Sequence, residues 1–176
     1  MSRRPALIVI LLALLALAGG GYYLVAGPGG DDSKASAKGE PRPAFTLPDL
    51  DGKERSISEW DGQVVLLNFW ASWCPPCRRE IPAFVDVQED YRDQGLRIIG
   101  VAIDDRQAVV DFTNPMGVNY PILLGGDEGI GIAEAYGNRM GVLPYTVLID
   151  REGRIVERWR EELSYEDVEK AIEPLL

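Results

Sequence analysis

The chain has 176 residues, which allow one domain of ordinary size plus appendages. Hydrophobic residues make up 46% of it, enough for a packed core, and the formal net charge of −10 argues against nucleic acid as a partner. Residues 1–40 carry a net charge of +1 and residues 41–176 a net charge of −11, so we expect an acidic, soluble domain after residue 40.

The amino-terminal segment has the pattern of a membrane anchor. Residues 1–5 form a basic head with two arginines, and residues 6–26 contain no charged residue. A helix of that length spans roughly 30 Å, about one bilayer core. Because the arginines precede it, we expect the head to stay in the cytoplasm and the rest of the chain to lie across the membrane. The alternative is a cleaved signal peptide, since Ala16-Leu17-Ala18 resembles a cleavage site.

Residues 27–40 (GPGGDDSKASAKGE) lack apolar periodicity and predict a flexible linker of roughly 20 Å. The domain that follows, residues 41–176, begins with two short strands around the turn signal Asp51-Gly52. The remaining predicted elements are a strand at 64–69, a helix at 75–94, a strand at 96–103, a helix at 104–113, a short strand at 120–124, a helix at 130–136, a hairpin at 146–149 and 154–159, and a final helix.

Two boundaries in this scheme depend on local breakers. Asn114-Pro115 is expected to end the helix at 104–113, and Gly125-Gly126-Asp127 is expected to form a turn. Ser164, with an acid three residues later, is expected to cap the final helix. Strands that alternate with helices and end in a hairpin and a helix predict an α/β sandwich around a mixed central sheet.

Residues 70–80 (WASWCPPCRRE) hold the only two cysteines, directly after the predicted buried strand. The nucleophile in disulfide exchange is a thiolate. We expect Cys74 at the first turn of a helix, where unpaired N–H groups and the helix dipole favour negative charge. Pro75 and Pro76 suit that turn, because its N–H groups have no helical partner. Cys74 is therefore predicted to be the attacking thiol, and Cys77 the resolving thiol.

Other uses of this cysteine pair fit less well. A structural disulfide that closes so short a loop stabilises little. A zinc site needs two further ligands, and the chain has no histidine and no further cysteine. Haem attachment needs histidine at position 78, where the chain has Arg78. We therefore predict no metal and no cofactor beyond the cysteine pair.

Residues 69–77 (FWASWCPPC), after a buried strand, strongly resemble the thioredoxin superfamily. Residues 44–52 (AFTLPDLDG) and 141–150 (GVLPYTVLID) resemble the amino-terminal hairpin and the cis-proline segment of its TlpA-like branch, whose relatives include the cytochrome c maturation thioredoxins. The resemblance covers about residues 41–176. It implies a thioredoxin-like three-layer sandwich with an amino-terminal hairpin extension and a central insertion, preceded by one transmembrane helix.

The resemblance also implies how substrates are bound. Pro144 is expected to be a cis-proline that faces the disulfide, in a turn whose backbone pairs with an extended substrate segment. Leu143, before it, is bulkier than the residue often found there. Trp73 is expected to shield Cys74 and to offer partners a flat apolar contact.

Two polar residues are candidates for proton management. Asn68 stands where thioredoxin itself carries a buried acid, so it is expected to be a hydrogen-bonded buried amide. Glu80 matches an acidic position of the branch and is expected to exchange protons with the thiols. The alternative for Glu80 is a solvated helix residue beside Arg78 and Arg79.

The resulting hypothesis is a membrane-tethered, monomeric thiol-disulfide oxidoreductase on the periplasmic side of a bacterial cytoplasmic membrane. Its substrates would be disulfides in other proteins, such as apocytochrome c or copper-site proteins. A reductase in an oxidising compartment needs a dedicated electron supply, here a membrane thiol transporter. The sequence leaves open whether the protein reduces or oxidises its substrates, because that direction depends on the reduction potential of the cysteine pair.

Two other function classes remain as alternatives. A thiol peroxidase of the peroxiredoxin type would carry the pattern Pro-x-x-x-Thr-x-x-Cys, but this chain has Leu67 and Ala71 at the Pro and Thr positions. A copper-delivery module on the same fold would be expected to use histidine beside its cysteines, and the chain has none.

Overall fold

The computed structural model describes residues 39–176. The predicted basic head, the predicted membrane anchor and nearly all of the predicted linker lie outside the described residues. Within them, no helix has the length and apolar character needed to cross a membrane. The last two residues assigned to the linker belong with the domain, because the Glu40 carbonyl accepts a 2.8 Å hydrogen bond from the Ile155 N–H.

The described residues form seven strands and four α-helices, with short 3₁₀ turns at Ile57–Trp60, Arg92–Gln94 and Glu173–Leu175. In chain order they are β1 (Thr46–Pro48), β2 (Glu54–Ser56), β3 (Val64–Trp70), α1 (Pro75–Tyr91), β4 (Leu96–Ala102), α2 (Arg106–Met116), β5 (Ile122–Leu124), α3 (Gly126–Ala135), β6 (Tyr145–Ile149), β7 (Ile155–Trp159) and α4 (Tyr165–Ile172).

The central sheet has five strands in the order β5-β4-β3-β6-β7. Strand β4 pairs parallel with β3, and β5 pairs parallel with β4. On the other side, β6 pairs antiparallel with β3, and β7 pairs antiparallel with β6. Strands β1 and β2 form a separate antiparallel hairpin around the predicted turn. The predicted mixed-sheet α/β sandwich is therefore confirmed.

Side chains that alternate along β3 divide the core into two parts. Val64, Leu66 and Trp70 pack with the buried faces of α1, α2 and α4. Val65, Leu67 and Phe69 face the opposite side, towards the amino-terminal hairpin and α3. Every residue of β3 is buried, as expected of a central strand covered on both faces. Because Asn68 shares the parity of Leu66 and Trp70, it points towards α1.

Two predicted boundaries are wrong. Asn114-Pro115 does not end α2, which continues to Met116 and stops at Gly117, where φ is +65°. Glycine adopts this left-handed conformation at little steric cost, and the Gly117 N–H bonds back to the last turn. The expected turn at 125–127 is instead the start of α3, with Asp127 in its first turn, where the helix dipole favours acids. The Ser164 capping box is confirmed.

Candidate active site

The two cysteines lie where β3 gives way to α1. Cys74 is the N-cap residue of α1, with extended backbone angles (φ −90°, ψ 107°), and Pro75 and Pro76 follow in its first turn. A disulfide joins Cys74 to Cys77, and the Cys77 N–H lies 3.3 Å from the Cys74 Sγ. That N–H would stabilise a thiolate at Cys74 once the disulfide is reduced. Both cysteines are buried, Cys77 completely.

The arginines after the motif are engaged by other groups. The guanidinium of Arg78 lies over the Phe112 ring, 5.1 Å from its centroid. Arg79 donates two hydrogen bonds, of 2.5 and 2.8 Å, to one carboxylate oxygen of Glu162. Both guanidinium groups are therefore held by side chains other than those of the two cysteines.

Glu80 is buried, with 1% of its surface exposed, so the alternative of a solvated helix residue is wrong. Its Oε1 accepts a 2.9 Å hydrogen bond from the Asn68 Nδ2, and its Oε2 a 3.2 Å bond from the Leu163 N–H. Burial raises the pKa of Glu80 to about 8 against the lowering effect of these two hydrogen bonds, and the charge of Glu162 adds to the rise. Three positions separate Glu80 from Cys77, so both occupy one face of α1.

Asn68 is a buried, hydrogen-bonded amide, as predicted. Its Nδ2 donates to Glu80 and also to the Thr146 Oγ1, at 2.9 Å each. Its Oδ1 has no hydrogen-bond partner among residues 39–176. Thr146, which was not predicted from the sequence, stands directly opposite Asn68 in the pairing of β3 with β6. Only the register of β3 with β6, which pairs residues 78 positions apart, could have indicated this contact.

The Leu143–Pro144 peptide bond is cis, as the resemblance implied. Pro144 directly precedes β6, whose first residue pairs with Phe69 near the end of β3, so the proline lies at the same end of the sheet as the cysteines. Within residues 39–176, no hydrogen bond takes up the N–H or the carbonyl of Leu143. These groups can pair with an extended polypeptide.

Side-chain hydrogen bonds fix the loops on both sides of the disulfide. Asn138 brackets Val142, since its Nδ2 donates to the Val142 carbonyl at 2.8 Å and its Oδ1 accepts from the Val142 N–H at 3.2 Å. The N–H and hydroxyl of Ser72 both donate to Asp104. Neither contact was predicted, because each joins residues of ordinary loop character. The first set of bonds holds the loop before Pro144, and the second holds the turn before Cys74.

Trp73 and Trp70 have opposite environments. Trp70 is buried in the core, whereas 64% of Trp73 is exposed. The exposed indole gives partners the flat apolar surface that the sequence suggested. Among residues 39–176, no cluster of three or more His, Cys, Asp or Glu residues is arranged to hold a metal ion.

Comparison with protein families and known proteins agrees with this geometry. The model of the AhpC/TSA family matches residues 38–158. The chain is 36% identical over 132 residues to the thiol-disulfide oxidoreductase ResA of Bacillus anthracis, an alignment that covers 74% of each protein. It is 34% identical over 142 residues to the protein of the same name from Geobacillus thermodenitrificans, covering 80% of this chain and 79% of that relative.

Solved structures with the same fold carry related names. A thiol:disulfide interchange protein of the thioredoxin family from Chlorobium tepidum matches with a TM-score of 0.71 and 29% identity, over 79% of this chain and 97% of that one. A secreted thiol-disulfide isomerase from Corynebacterium glutamicum matches with a TM-score of 0.71 and 27% identity, over 76% of this chain and 84% of that one. These matches confirm the resemblance to the thioredoxin superfamily. The chain belongs to the AhpC/TSA family and is a thiol-disulfide oxidoreductase with the thioredoxin fold.

Proposed function

We propose that this oxidoreductase is a membrane-tethered reductase of protein disulfides outside the cytoplasm. The observation that carries the proposal is the Cys74–Cys77 pair at the amino terminus of α1, with a backbone N–H directed at the Cys74 sulfur. The likeness to relatives named thiol-disulfide oxidoreductase supports the same chemistry.

The reaction has two exchange steps. The Cys74 thiolate attacks one sulfur of a substrate disulfide, whose other sulfur leaves as a thiolate, and a mixed disulfide forms. Cys77 then loses its proton and attacks the Cys74 sulfur, which expels the second substrate sulfur. The substrate gains two electrons and the enzyme ends with the Cys74–Cys77 disulfide.

Glu80 is the group we propose for the proton transfers. It lies on the Cys77 face of α1, and its pKa near 8 keeps both the carboxylic acid and the carboxylate accessible around neutral pH. A carboxylate on that face can accept the proton that Cys77 loses before the second exchange step. The hydrogen bonds from Asn68 and the Leu163 N–H hold the carboxyl group in one orientation.

The direction of electron transfer depends on the reduction potential of the pair, because a pair becomes strongly oxidising when its reduced form is stabilised. The amino terminus of α1 stabilises the Cys74 thiolate, so the charges around the pair do not by themselves favour reduction. We propose the reducing direction on the likeness to the TlpA-like branch.

The tether, the targets and the electron source complete the proposal. The uncharged segment 6–26 after a basic head supports a membrane anchor. The likeness to the TlpA-like branch supports apocytochrome c or copper-site proteins as substrates and a membrane thiol transporter as electron donor. We propose that the catalytic domain acts as a monomer on the periplasmic side.

The reaction and the targets are tested together by trapping. Full-length Cys77→Ser protein, expressed in its membrane, should accumulate a mixed disulfide with its substrates that a reductant releases, because the resolving thiol is gone. Mass spectrometry of the released proteins should find c-type cytochromes or copper-site proteins. Cys74→Ser serves as the matched control and should trap nothing. Equal trapping by both variants, or none by Cys77→Ser, would contradict the proposal.

The tether has its own test. The full-length protein should stay with the membrane fraction after an alkaline carbonate wash, and a deletion of residues 6–26 should release it. Release of the unaltered chain would contradict membrane attachment and would leave the exchange chemistry intact.

A further inference from the structure

The loop between β7 and α4, residues 160–163, supplies one of the two donors that bind Glu80. The Leu163 N–H donates to the Glu80 Oε2 at 3.2 Å, and the Leu163 side chain is buried in the same part of the core as Cys77. Because a backbone N–H can only donate, this bond favours the carboxylate of Glu80 over the carboxylic acid. The position of the loop therefore affects the protonation of Glu80.

Side chains, rather than the backbone, hold loop 160–163 in place. In the described part of the chain, these four residues make no backbone-to-backbone hydrogen bond. Arg160 is held at one end by a 3.3 Å hydrogen bond to a carbonyl group, and Ser164 begins the capping box of α4 at the other end. Between these ends, Glu162 accepts the two hydrogen bonds from Arg79. That ion pair is the link between the middle of the loop and α1.

The same ion pair controls a charge that acts on Glu80. Burial is the main cause of the raised pKa of Glu80, and the charge of Glu162 adds to the rise. The guanidinium of Arg79 offsets that charge, because it binds the Glu162 carboxylate directly. Arg79 also precedes Glu80 in α1, so the pair joins the helix that carries the acid to the loop that carries its donor.

We propose that the ion pair between Arg79 and Glu162 positions Glu80 for proton transfer, because it holds the Leu163 N–H against the carboxyl group and offsets the charge of Glu162. Arg79 and Glu162 are positioning residues, which act on the reaction through Glu80. The inference rests on the proposed function, in which Glu80 accepts the proton of Cys77. Both effects of the pair favour the carboxylate, so breaking it should keep the proton on Glu80 to a higher pH.

The protonation of Glu80 can be observed separately from that of its neighbours. The other titratable groups that act on it are Cys77 on α1, Tyr120 before β5 and Glu162, whereas β3 and β6 contribute only the uncharged Asn68 and a threonine. In the oxidised protein Cys77 is part of the disulfide and does not titrate. Burial raises the pKa of Tyr120 and the charge of Glu80 raises it further, so Tyr120 keeps its proton.

The first test measures the pH midpoint of Glu80 by carbon-13 NMR of the oxidised full-length protein in detergent, with labelled glutamate carboxyl groups. The Glu80 signal is assigned by its loss in Glu80→Gln. Arg79→Gln breaks the ion pair. Arg78→Gln is the matched control, because it makes the same change one position earlier, where the guanidinium lies over Phe112. Glu162→Gln removes the charge but keeps an oxygen that can accept from Arg79.

The expected shifts follow from the contacts. Two or three backbone N–H bonds can lower the pKa of a carboxyl group by roughly two units, so one such bond corresponds to about 0.5 to 1 unit. Arg79→Gln should raise the Glu80 midpoint by about 0.5 to 1 pH unit, and Arg78→Gln by less than half as much. Glu162→Gln should lower the midpoint. Arg79 and Glu162 have exposed side chains, so these variants should fold as the original protein does.

The second test measures the exchange reaction itself. Below the midpoint, a rise of 0.5 to 1 pH unit lowers the fraction of carboxylate by about three- to tenfold. Reduced full-length protein is mixed with a peptide disulfide at pH 7, and acid-quenched samples show the mixed disulfide and the released peptide. Arg79→Gln should slow release from the mixed disulfide by about three- to tenfold. The difference from the original protein should disappear as the pH rises past both midpoints, whereas Arg78→Gln should follow the original profile closely.

Three results would overturn the inference. An unchanged or lower Glu80 midpoint in Arg79→Gln would show that the pair does not favour the carboxylate. An equal rise in both arginine variants would show that any nearby positive charge has the same effect. A higher midpoint in Glu162→Gln would show that its charge is not what the pair offsets. If the original protein does not reduce the peptide, the proposed reductase is refuted, and the NMR midpoints still decide whether the pair positions Glu80.

Discussion

Replacing Glu80 by glutamine keeps the shape of the side chain and removes its charge. The pKa of Glu80 is raised from an ordinary 4.5 to about 8 because the carboxyl group is buried. Between these values the folded protein keeps the proton and the unfolded chain loses it. The free energy of unfolding should therefore fall by about 1.4 kcal/mol per pH unit as the pH rises from 4.5 to 8, and should level off above that.

Integrated over that range, the ionisation of Glu80 costs the folded state about 3 to 5 kcal/mol. Glutamine removes this pH dependence. Its single carbonyl oxygen can accept only one of the two hydrogen bonds that Glu80 accepts, which costs roughly 1 to 3 kcal/mol at every pH. The Glu80→Gln protein should be less stable than the original at pH 5 and should gain about 3 to 5 kcal/mol relative to it by pH 9.

Denaturant unfolding of the oxidised protein, followed from pH 5 to pH 9 at constant salt, measures this difference. Glu89→Gln is the control, because Glu89 is an exposed glutamate on the same helix, and its stability curve should run parallel to that of the original protein. Parallel curves for Glu80→Gln and the original protein would refute the raised pKa. They would also remove the argument for Glu80 as a proton carrier.

Two further predictions concern the packing that supports the site. Thr146→Val removes the hydroxyl that accepts the Asn68 N–H, and the unpaired buried donor should cost roughly 1 to 3 kcal/mol in the free energy of unfolding, whereas Thr146→Ser should cost less than half of that; equal losses would show that the hydroxyl contributes nothing. Gly100→Ala places a Cβ 2.7 Å from the Ile122 Cδ1 and 3.0 Å from the Trp70 Nε1, which should cost about 1 to 3 kcal/mol by overpacking. Gly131→Ala on α3 meets no atom within 4 Å and should be neutral or stabilising, so a loss in both variants would contradict the packing argument.

Most elements of the fold could be predicted from local sequence patterns. The apolar run of β3, the turn between β1 and β2 and the Ser164 capping box act over a few residues, so the sequence displays them directly. The end of α2 differs from the prediction because Pro115 is accommodated in the last turn, and Gly117, with φ at +65°, ends the helix. The start of α3 differs because the helix begins at Gly126 despite the low helix propensity of glycine.

The cysteine pair was predicted from residue type and spacing. The cis-proline and the acid at position 80 were expected from the resemblance to the TlpA-like branch. The burial of Glu80 could not be decided, because it depends on Leu163, 83 residues away, and on the register that brings Thr146 beside Asn68. The apolar cavity beside Trp73 could not be predicted for the same reason, since its walls come from four separate segments of the chain.

The reduction potential of the Cys74–Cys77 pair tests the central claim most directly. The full-length protein would be equilibrated with thiol-disulfide buffers of known potential, and the fraction of reduced cysteine would be measured. The proposed reductase should have a potential near that of thioredoxin, roughly −270 mV, or lower. A potential near that of the strong oxidant DsbA, about −120 mV, would contradict the account and make the protein one that installs disulfides.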